Sequence, residues 1–190
     1  RTRATIAKEK GLEPLADLLM LQMLTKPALE EAERYMSEEK GVLTAQEALE
    51  GAGDILAERI SDEADYRIYI RDITFRKGML CAEAKDEKEK SVYEMYYQYE
   101  EPVKKAAGHR ILALNRGEKE KYLTVRIEAP EEDIIRYLEK KLIIRNNEYT
   151  APVLRDVIAD SYKRLIAPAV EREIRNSLTE AAEAGAIKVF

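Results

Sequence analysis

Side chains that commonly carry out catalysis are scarce in this 190-residue sequence, which holds one histidine and one cysteine. The single histidine, His109, leaves no metal site built from several histidines and no serine–histidine relay with a second base. The single cysteine, Cys81, excludes an intrachain disulfide and a cysteine-based zinc site, and it is typical of a reducing compartment. We expect Cys81 to be a small buried hydrophobe and His109 to be a surface or capping residue. The sequence therefore predicts no catalytic residue, no metal and no cofactor.

Two other groupings could bind a ligand, and each has a structural alternative. The run Gly51-Ala52-Gly53 lacks the preceding strand and the spacing of a dinucleotide-binding loop, so a close contact between helices is favoured. Four tyrosines stand shortly before a lysine pair and could stack on bases: Tyr93, Tyr96, Tyr97 and Tyr99. Because several of them share a helical spacing, they can instead form core or an interface between helices. The core interpretation is favoured.

Charge is distributed unevenly along the chain. The net charge is −5, yet residues 104–126 carry seven basic and two acidic residues, whereas residues 30–65 carry three basic and twelve acidic ones. The basic stretch could face nucleic-acid phosphates while the acidic stretch stays away from them. The alternative is that these charges mix on ordinary solvated helices, and the negative total favours it because nucleic-acid affinity usually follows net basic character.

The residues predicted to contact phosphates lie mostly in the basic stretch, and the contacts would position the chain without reading bases. The candidates from this stretch are Lys104, Lys105, His109, Arg110 and Arg116.

Composition and periodicity predict a mainly α fold. Hydrophobic residues make up 45% of the chain and glycine and proline are few, which excludes a disordered or collagen-like chain. No apolar run approaches the roughly 20 residues that span a bilayer. Residues 186–190 (AIKVF) end the sequence in an apolar run, which predicts that the chain belongs to a longer protein.

Helix and strand signals are distributed as follows. Thr44 with Glu47, and Ser91 with Glu94, fit capping boxes that start helices; the second would open a helix from Val92 to Tyr99. Alternating apolar and polar residues predict a strand over 122–129, and we expect at most one or two short strands. A change in composition near residues 100–107 suggests domains at 1–105 and 106–190.

The second part of the chain is predicted to contain a helix-turn-helix-like unit. Its helices would cover 130–142 and 150–166, joined by a short turn containing Asn146 and Asn147. In such a unit the second helix enters the major groove, where Lys163 and Arg164, with Arg155, would be contacts. A purely structural helix pair is an equal alternative.

Two long stretches resemble the bacterial Tex proteins, a transcription accessory family. Residues 1–16 (RTRATIAKEKGLEPLA) and residues 101–118 (EPVKKAAGHRILALNRGE) carry the resemblance, and residues 186–190 are similar to the place where those proteins pass into their next domain. The resemblance implies the N-terminal helical region of a long, cytoplasmic, multi-domain protein, including a helix-turn-helix-like part. An RNase-H-like domain, helix-hairpin-helix elements and an RNA-binding OB-fold domain would follow outside this chain.

Together these observations predict a non-catalytic scaffold of a transcription accessory protein. Its partner would be RNA or DNA, bound through phosphate contacts and largely through domains outside this chain, with no membrane involved. The alternative is a protein–protein interaction platform for the transcription or translation machinery that uses the acidic first half and binds no nucleic acid.

Overall fold

The computed structural model describes the backbone of residues 1–189 and the side chains of residues 1–185. It is mainly α, as predicted, with a small antiparallel sheet. The apolar run at 186–190 lies outside the described side chains. The α-helices are α1 (Arg3–Glu9), α2 (Glu13–Leu21), α3 (Ala28–Ala32), α4 (Ala45–Asp62), α5 (Ala64–Lys77), α6 (Gly108–Lys119), α7 (Glu131–Leu142), α8 (Ala151–Asp160) and α9 (Ala167–Val189). The strands are β1 (Met79–Ala84), β2 (Gln98–Pro102) and β3 (Leu123–Glu128).

The chain forms two compact units that are interleaved in sequence. Unit 1 comprises Arg1–Arg67 and Glu132–Ala167, and unit 2 comprises Ile68–Glu131 with the residues from Pro168 on. The predicted boundary near residues 100–107 falls inside unit 2. Contacts between distant segments therefore define the units, and a single point of composition change does not separate them.

Helix α4 is the centre of unit 1. Thr44 caps it as predicted, since its hydroxyl accepts a hydrogen bond from the Glu47 N–H at 3.0 Å and the Glu47 carboxylate accepts one from the Leu43 N–H. The buried face of α4 is lined by Ala48, Ala52, Ile55, Leu56 and Ile60. This alternation of small and large side chains lets neighbouring helices approach closely, and each buried leucine or isoleucine contributes about 1.5–3 kcal/mol.

The predicted close contact at Gly51 is confirmed within unit 1. A Cβ atom added to Gly51 would lie 2.3 Å from Leu12 Cδ1 and 3.4 Å from Ala7 Cβ. The missing side chain of Gly51 therefore leaves room for Leu12 in the loop after α1, and the Gly-Ala-Gly run allows close packing against α4.

A π-helical turn, Ser161–Ile166, follows α8 directly and leads into α9. The buried Ser161 hydroxyl donates a 2.6 Å hydrogen bond to the carbonyl of Ala57 in α4. A proline often kinks or divides a helix, because it cannot donate to the preceding turn. The chain stays helical through Pro168, and the irregularity lies just before it.

Unit 2 is built on a sheet with strand order β2-β1-β3, antiparallel at both pairings. The predicted strand at 122–129 is confirmed as β3, with Leu123, Val125 and Ile127 buried and the residues between them exposed. Three strands occur among the described residues, one more than the upper limit expected. The additional strand is β2, whose first residues the helical spacing of the tyrosines had assigned to a helix.

The predicted helix from Val92 to Tyr99 is wrong. The Ser91 hydroxyl accepts a hydrogen bond from the Tyr93 N–H, only two residues on, so no capping box forms with Glu94. A single 3₁₀ turn, Glu94–Tyr96, follows, and the chain then pairs with β1. Hydrogen bonds to a distant strand outweighed the local helical pattern.

The helices of the predicted helix-turn-helix unit are present as α7 and α8, both in unit 1. Eight residues connect them, whereas the turn of this motif usually has three or four. Thr150 lies at the N-cap position of α8 without a capping bond, because its hydroxyl donates to Asn147 Oδ1. The connection is an ordered loop held by Asn147, and it lacks the short turn that the motif requires.

No helix within the described residues is both long enough and apolar enough to cross a membrane.

Candidate nucleic-acid interface

The predicted phosphate contacts are divided between the two units. Lys104, Lys105, His109, Arg110 and Arg116 belong to unit 2, whereas Lys163 and Arg164 belong to unit 1.

The lysine pair lies just before α6. Lys104 and Lys105 are exposed on a 3₁₀ turn, Val103–Lys105, that is anchored by the buried Val103. The Val103 N–H donates to the Gly78 carbonyl at 3.0 Å, so this turn is fixed to the start of β1. In the described part of the chain, no hydrogen bond or ion pair engages either lysine head group. Both ammonium groups are available to an anion.

Helix α6 extends this basic surface. Its apolar side buries Ile111 and Leu114, which leaves the opposite side to solvent. His109 and Arg116 are both exposed and stand seven residues apart, two helical turns, so they share that side. Lys119, in the last turn, is exposed and lies near the same side. Lys119 belongs to the basic stretch at residues 104–126 but not to the predicted phosphate contacts, and its position on α6 is the reason to add it.

Arg110, by contrast, is committed to a carboxylate of its own unit. Its Nε donates to Glu101 Oε1 at 3.0 Å and its Nη2 to Glu101 Oε2 at 2.9 Å. Desolvation of Glu101 opposes ionisation, but the hydrogen bonds from Arg110 prevail and hold the pKa of this carboxyl below its ordinary value. Desolvation, with the Glu101 carboxylate beside it, raises the pKa of Tyr99 to about 12. Arg110 thus ties the start of α6 to β2 and is not oriented towards an external phosphate.

Arg164 has the same kind of arrangement in unit 1. Its guanidinium donates to Asp160 one helical turn back, at 2.9 Å, and lies 3.8 Å from Asp54. Desolvation raises the pKa of Asp54, although Arg164 opposes the shift. Lys163 is exposed in the same π-helical turn. The structure therefore assigns Arg164 a partner within the fold.

A network that the sequence analysis missed fixes α6 against α9. Arg175 donates to both carboxylate oxygens of Glu118, at 3.0 and 2.9 Å, and to Asn115 Oδ1 at 3.0 Å. Asn115 in turn donates to the Thr179 hydroxyl. These residues line an open cleft of about 490 Å³. Only the fold brings Arg175 to Glu118, 57 residues away, so no local sequence signal identified the pair.

Gly108 explains how closely α6 approaches α9. A Cβ atom at Gly108 would lie 3.3 Å from the Ala182 Cα atom. The first turn of α6, which presents His109, therefore rests directly on a small residue of α9.

The remaining candidates take structural roles. Tyr93 and Tyr96 are buried, which confirms the core interpretation for these two. Cys81 is buried, and desolvation and the Glu128 carboxyl raise the pKa of its thiol. Within the described residues, no group of three or more histidine, cysteine or acidic side chains is arranged to hold a metal.

Comparison with known proteins identifies the family. Residues 24–190 match the family model described as Tex central region-like, and the chain therefore belongs to the Tex family. The sequence resemblance had suggested the N-terminal helical region, whereas this description refers to a central region. The motif at 101–118 lies within the matched range, and the motif at 1–16 precedes it.

Individual relatives align with the whole chain. It is 50% identical to the uncharacterized protein YdcI of Bacillus subtilis and 34% identical to the protein tex of Bordetella pertussis, and it covers 27% and 26% of their lengths. It is also 31% identical to the transcriptional accessory protein Tex of Neisseria gonorrhoeae, again over 26% of that protein. The chain thus spans about a quarter of the length of these relatives.

Proposed function

We propose that this chain is a non-catalytic part of a cytoplasmic transcription accessory protein, and that unit 2 contacts the phosphates of RNA or DNA. The observation that carries the proposal is the exposed basic surface formed by Lys104, Lys105, His109 and Arg116, with Lys119 beside it. The name of the Neisseria gonorrhoeae relative supports the accessory role.

The arrangement favours phosphate contact over base readout. Ammonium groups on a rigid turn act as point charges, which hold a phosphate without distinguishing sequences. Arg116 is the exposed guanidinium of the set and could bind a phosphate through two hydrogen bonds. We assign Arg110 a positioning role, because its bidentate bond to Glu101 ties α6 to β2, the strand that leads into the lysine-bearing turn.

A salt series on the 190-residue chain tests the proposal. Binding of a labelled single-stranded RNA and a DNA duplex is measured by fluorescence anisotropy between low and physiological salt. We expect weak, sequence-independent binding, with a dissociation constant of about 10⁻⁴–10⁻⁶ M at physiological salt. Each phosphate contact contributes about 0.9 to the log–log salt slope on duplex DNA and about 0.7 on a single strand.

Charge reversal locates the contact surface. The double change Lys104→Glu, Lys105→Glu should reduce the log–log salt slope by about the contribution of two phosphate contacts. The control reverses Lys85 and Lys88, which are exposed in the same unit, so the net charge changes equally. Equal effects of the two double variants would show that only net charge matters. Absence of any binding at low salt would refute phosphate contact and leave the protein–protein platform.

A further inference from the structure

Three large apolar side chains are exposed around one point of unit 1. Leu21 and Met23 flank Gln22 at the end of α2, with 57% and 62% of their surfaces exposed, and Ile144, just after α7, is 72% exposed. The two segments meet because Gln22 Oε1 accepts hydrogen bonds from the Ile144 and Arg145 N–H groups at 3.1 and 3.2 Å. We call Leu21, Met23 and Ile144 the apolar patch.

The backbone beneath the apolar patch is held in place. Gln22 Nε2 donates to the Leu142 carbonyl at 2.7 Å, and Asn147 Nδ2 donates to the Leu24 carbonyl at 3.0 Å. Gln22 is 2% exposed and adopts a left-handed conformation, with φ at 55°. A buried polar side chain thus displays apolar neighbours on a fixed surface, which lowers the entropic cost of binding a partner there.

The surroundings of the apolar patch are positively charged. Residues 140–147 contain Lys140, Lys141 and Arg145 and no acidic residue, and all three basic side chains are exposed. Lys141 lies over the Tyr137 ring, 5.7 Å from its centroid. Lys26, on the other segment, is 3.5 Å from Glu31 and is therefore neutralised. Lys140 and Lys141 lie in the last turn of α7 and Arg145 lies just after it, and these three cations outnumber the two acidic residues that flank the stretch, Glu139 and Glu148.

We propose that the apolar patch and these three cations form a docking site for an acidic, amphipathic segment of a partner protein. An exposed apolar area on the order of a few hundred Å², rimmed by charge, is typical of an interaction site. Leucine, methionine and isoleucine can accommodate the apolar side chains of a helix laid across them. The cations select carboxylates at the rim by charge complementarity and accelerate encounter.

A protein segment fits the surface better than a nucleic acid. Phosphates would use the three cations but would leave the three apolar side chains in water, with no gain from burying them. The inference is independent of the proposed phosphate contact, because it involves no residue of unit 2.

Peptide titration tests the docking site. The probe is a fluorescein-labelled 16-residue peptide with leucines on one helical face and glutamates on the opposite face, titrated with the 190-residue chain and followed by anisotropy. One control peptide replaces the leucines by serine, and another replaces the glutamates by glutamine. We expect binding of the acidic amphipathic peptide alone, weakened as salt is raised.

Variants of the chain locate the binding. Met23→Ser or Ile144→Ser should weaken binding roughly tenfold, and Lys140→Glu with Arg145→Glu should abolish its salt dependence. Val92→Ser and Lys88→Glu, exposed changes in unit 2, are the controls and should leave it unchanged. Circular dichroism melts establish that each variant is folded.

Several results would overturn the inference. One is that the acidic amphipathic peptide does not bind at about 1 mM chain. Another is that the Ile144→Ser variant binds this peptide as tightly as the unmodified chain does. Self-association of the chain that Ile144→Ser abolishes would make a second copy the occupant. Binding to anionic lipid vesicles with the same variant dependence would make it a membrane surface.

Discussion

Replacing Gln22 tests how much a single buried side chain contributes to unit 1. Gln22→Leu keeps the approximate size of the side chain and removes all three hydrogen bonds, leaving the Leu142 carbonyl and two N–H groups without that partner. Each such bond contributes about 1 kcal/mol, and an orphaned buried group costs more. We therefore expect the free energy of unfolding to fall by about 3 kcal/mol.

A second variant separates donation from acceptance. Gln22→Glu can still accept from the Ile144 and Arg145 N–H groups, but its carboxylate faces the Leu142 carbonyl oxygen and repels it. A protonated carboxyl could donate to that oxygen, so the folded state would raise its pKa. Because a raised carboxyl pKa favours the folded state at low pH, this variant should regain stability relative to Gln22→Leu as the pH falls from 7 to 5.

Urea denaturation followed by circular dichroism measures both effects. The change in free energy is taken from the shift in the urea midpoint, with the dependence of the unfolding free energy on urea concentration held constant. The control is Gln46→Leu, since Gln46 is exposed and its amide donates to Glu50 one turn away. It should change stability by less than about 0.5 kcal/mol. A Gln22→Leu variant as stable as this control would refute the argument that these bonds hold the segment.

Three further changes probe other packing and charge features, each by urea or thermal denaturation against the unmodified chain. Gly117→Ala should lower the free energy of unfolding by about 2 kcal/mol, because the added Cβ would lie 2.4 Å from the buried Leu123 Cδ1. This overpacking outweighs the gain in helix propensity. Unchanged stability would show that Leu123 can move. Ser161→Ala should cost about 1–2 kcal/mol through loss of the buried bond to the Ala57 carbonyl, and a neutral result would contradict this. Desolvation raises the pKa of Asp54, so the unmodified chain should gain stability relative to Asp54→Asn as the pH falls through that raised pKa; an opposite slope would mean that Arg164 dominates.

Local patterns were sufficient wherever a segment's own residues determine its structure. The capping box at Thr44 predicted the start of α4, and the alternation of Leu123, Val125 and Ile127 predicted β3, because caps and strand faces depend on neighbours within a few residues. The family motifs at 1–16 and 101–118 likewise depend only on the order of residues.

Patterns failed where a distant partner decided the outcome. The spacing of the tyrosines indicated a helix, yet β2 forms because β1 offers a complete ladder of backbone hydrogen bonds. The charge of Arg110 indicated a phosphate contact, yet Glu101, nine residues away, is placed by strand pairing to neutralise it. Neither partner can be recognised without the register of the sheet.

The sequence by itself determined the helical class, the family and the stretch that is rich in basic residues. The tertiary structure decided which of those cations remain available, since Lys104 and Arg116 stay in solvent while Arg110 bonds to Glu101. It also decided where apolar side chains remain exposed, because the hydrogen bonds of Gln22 join two segments about 120 residues apart. Charge and apolarity are properties of residues, but availability depends on neighbours that only folding supplies.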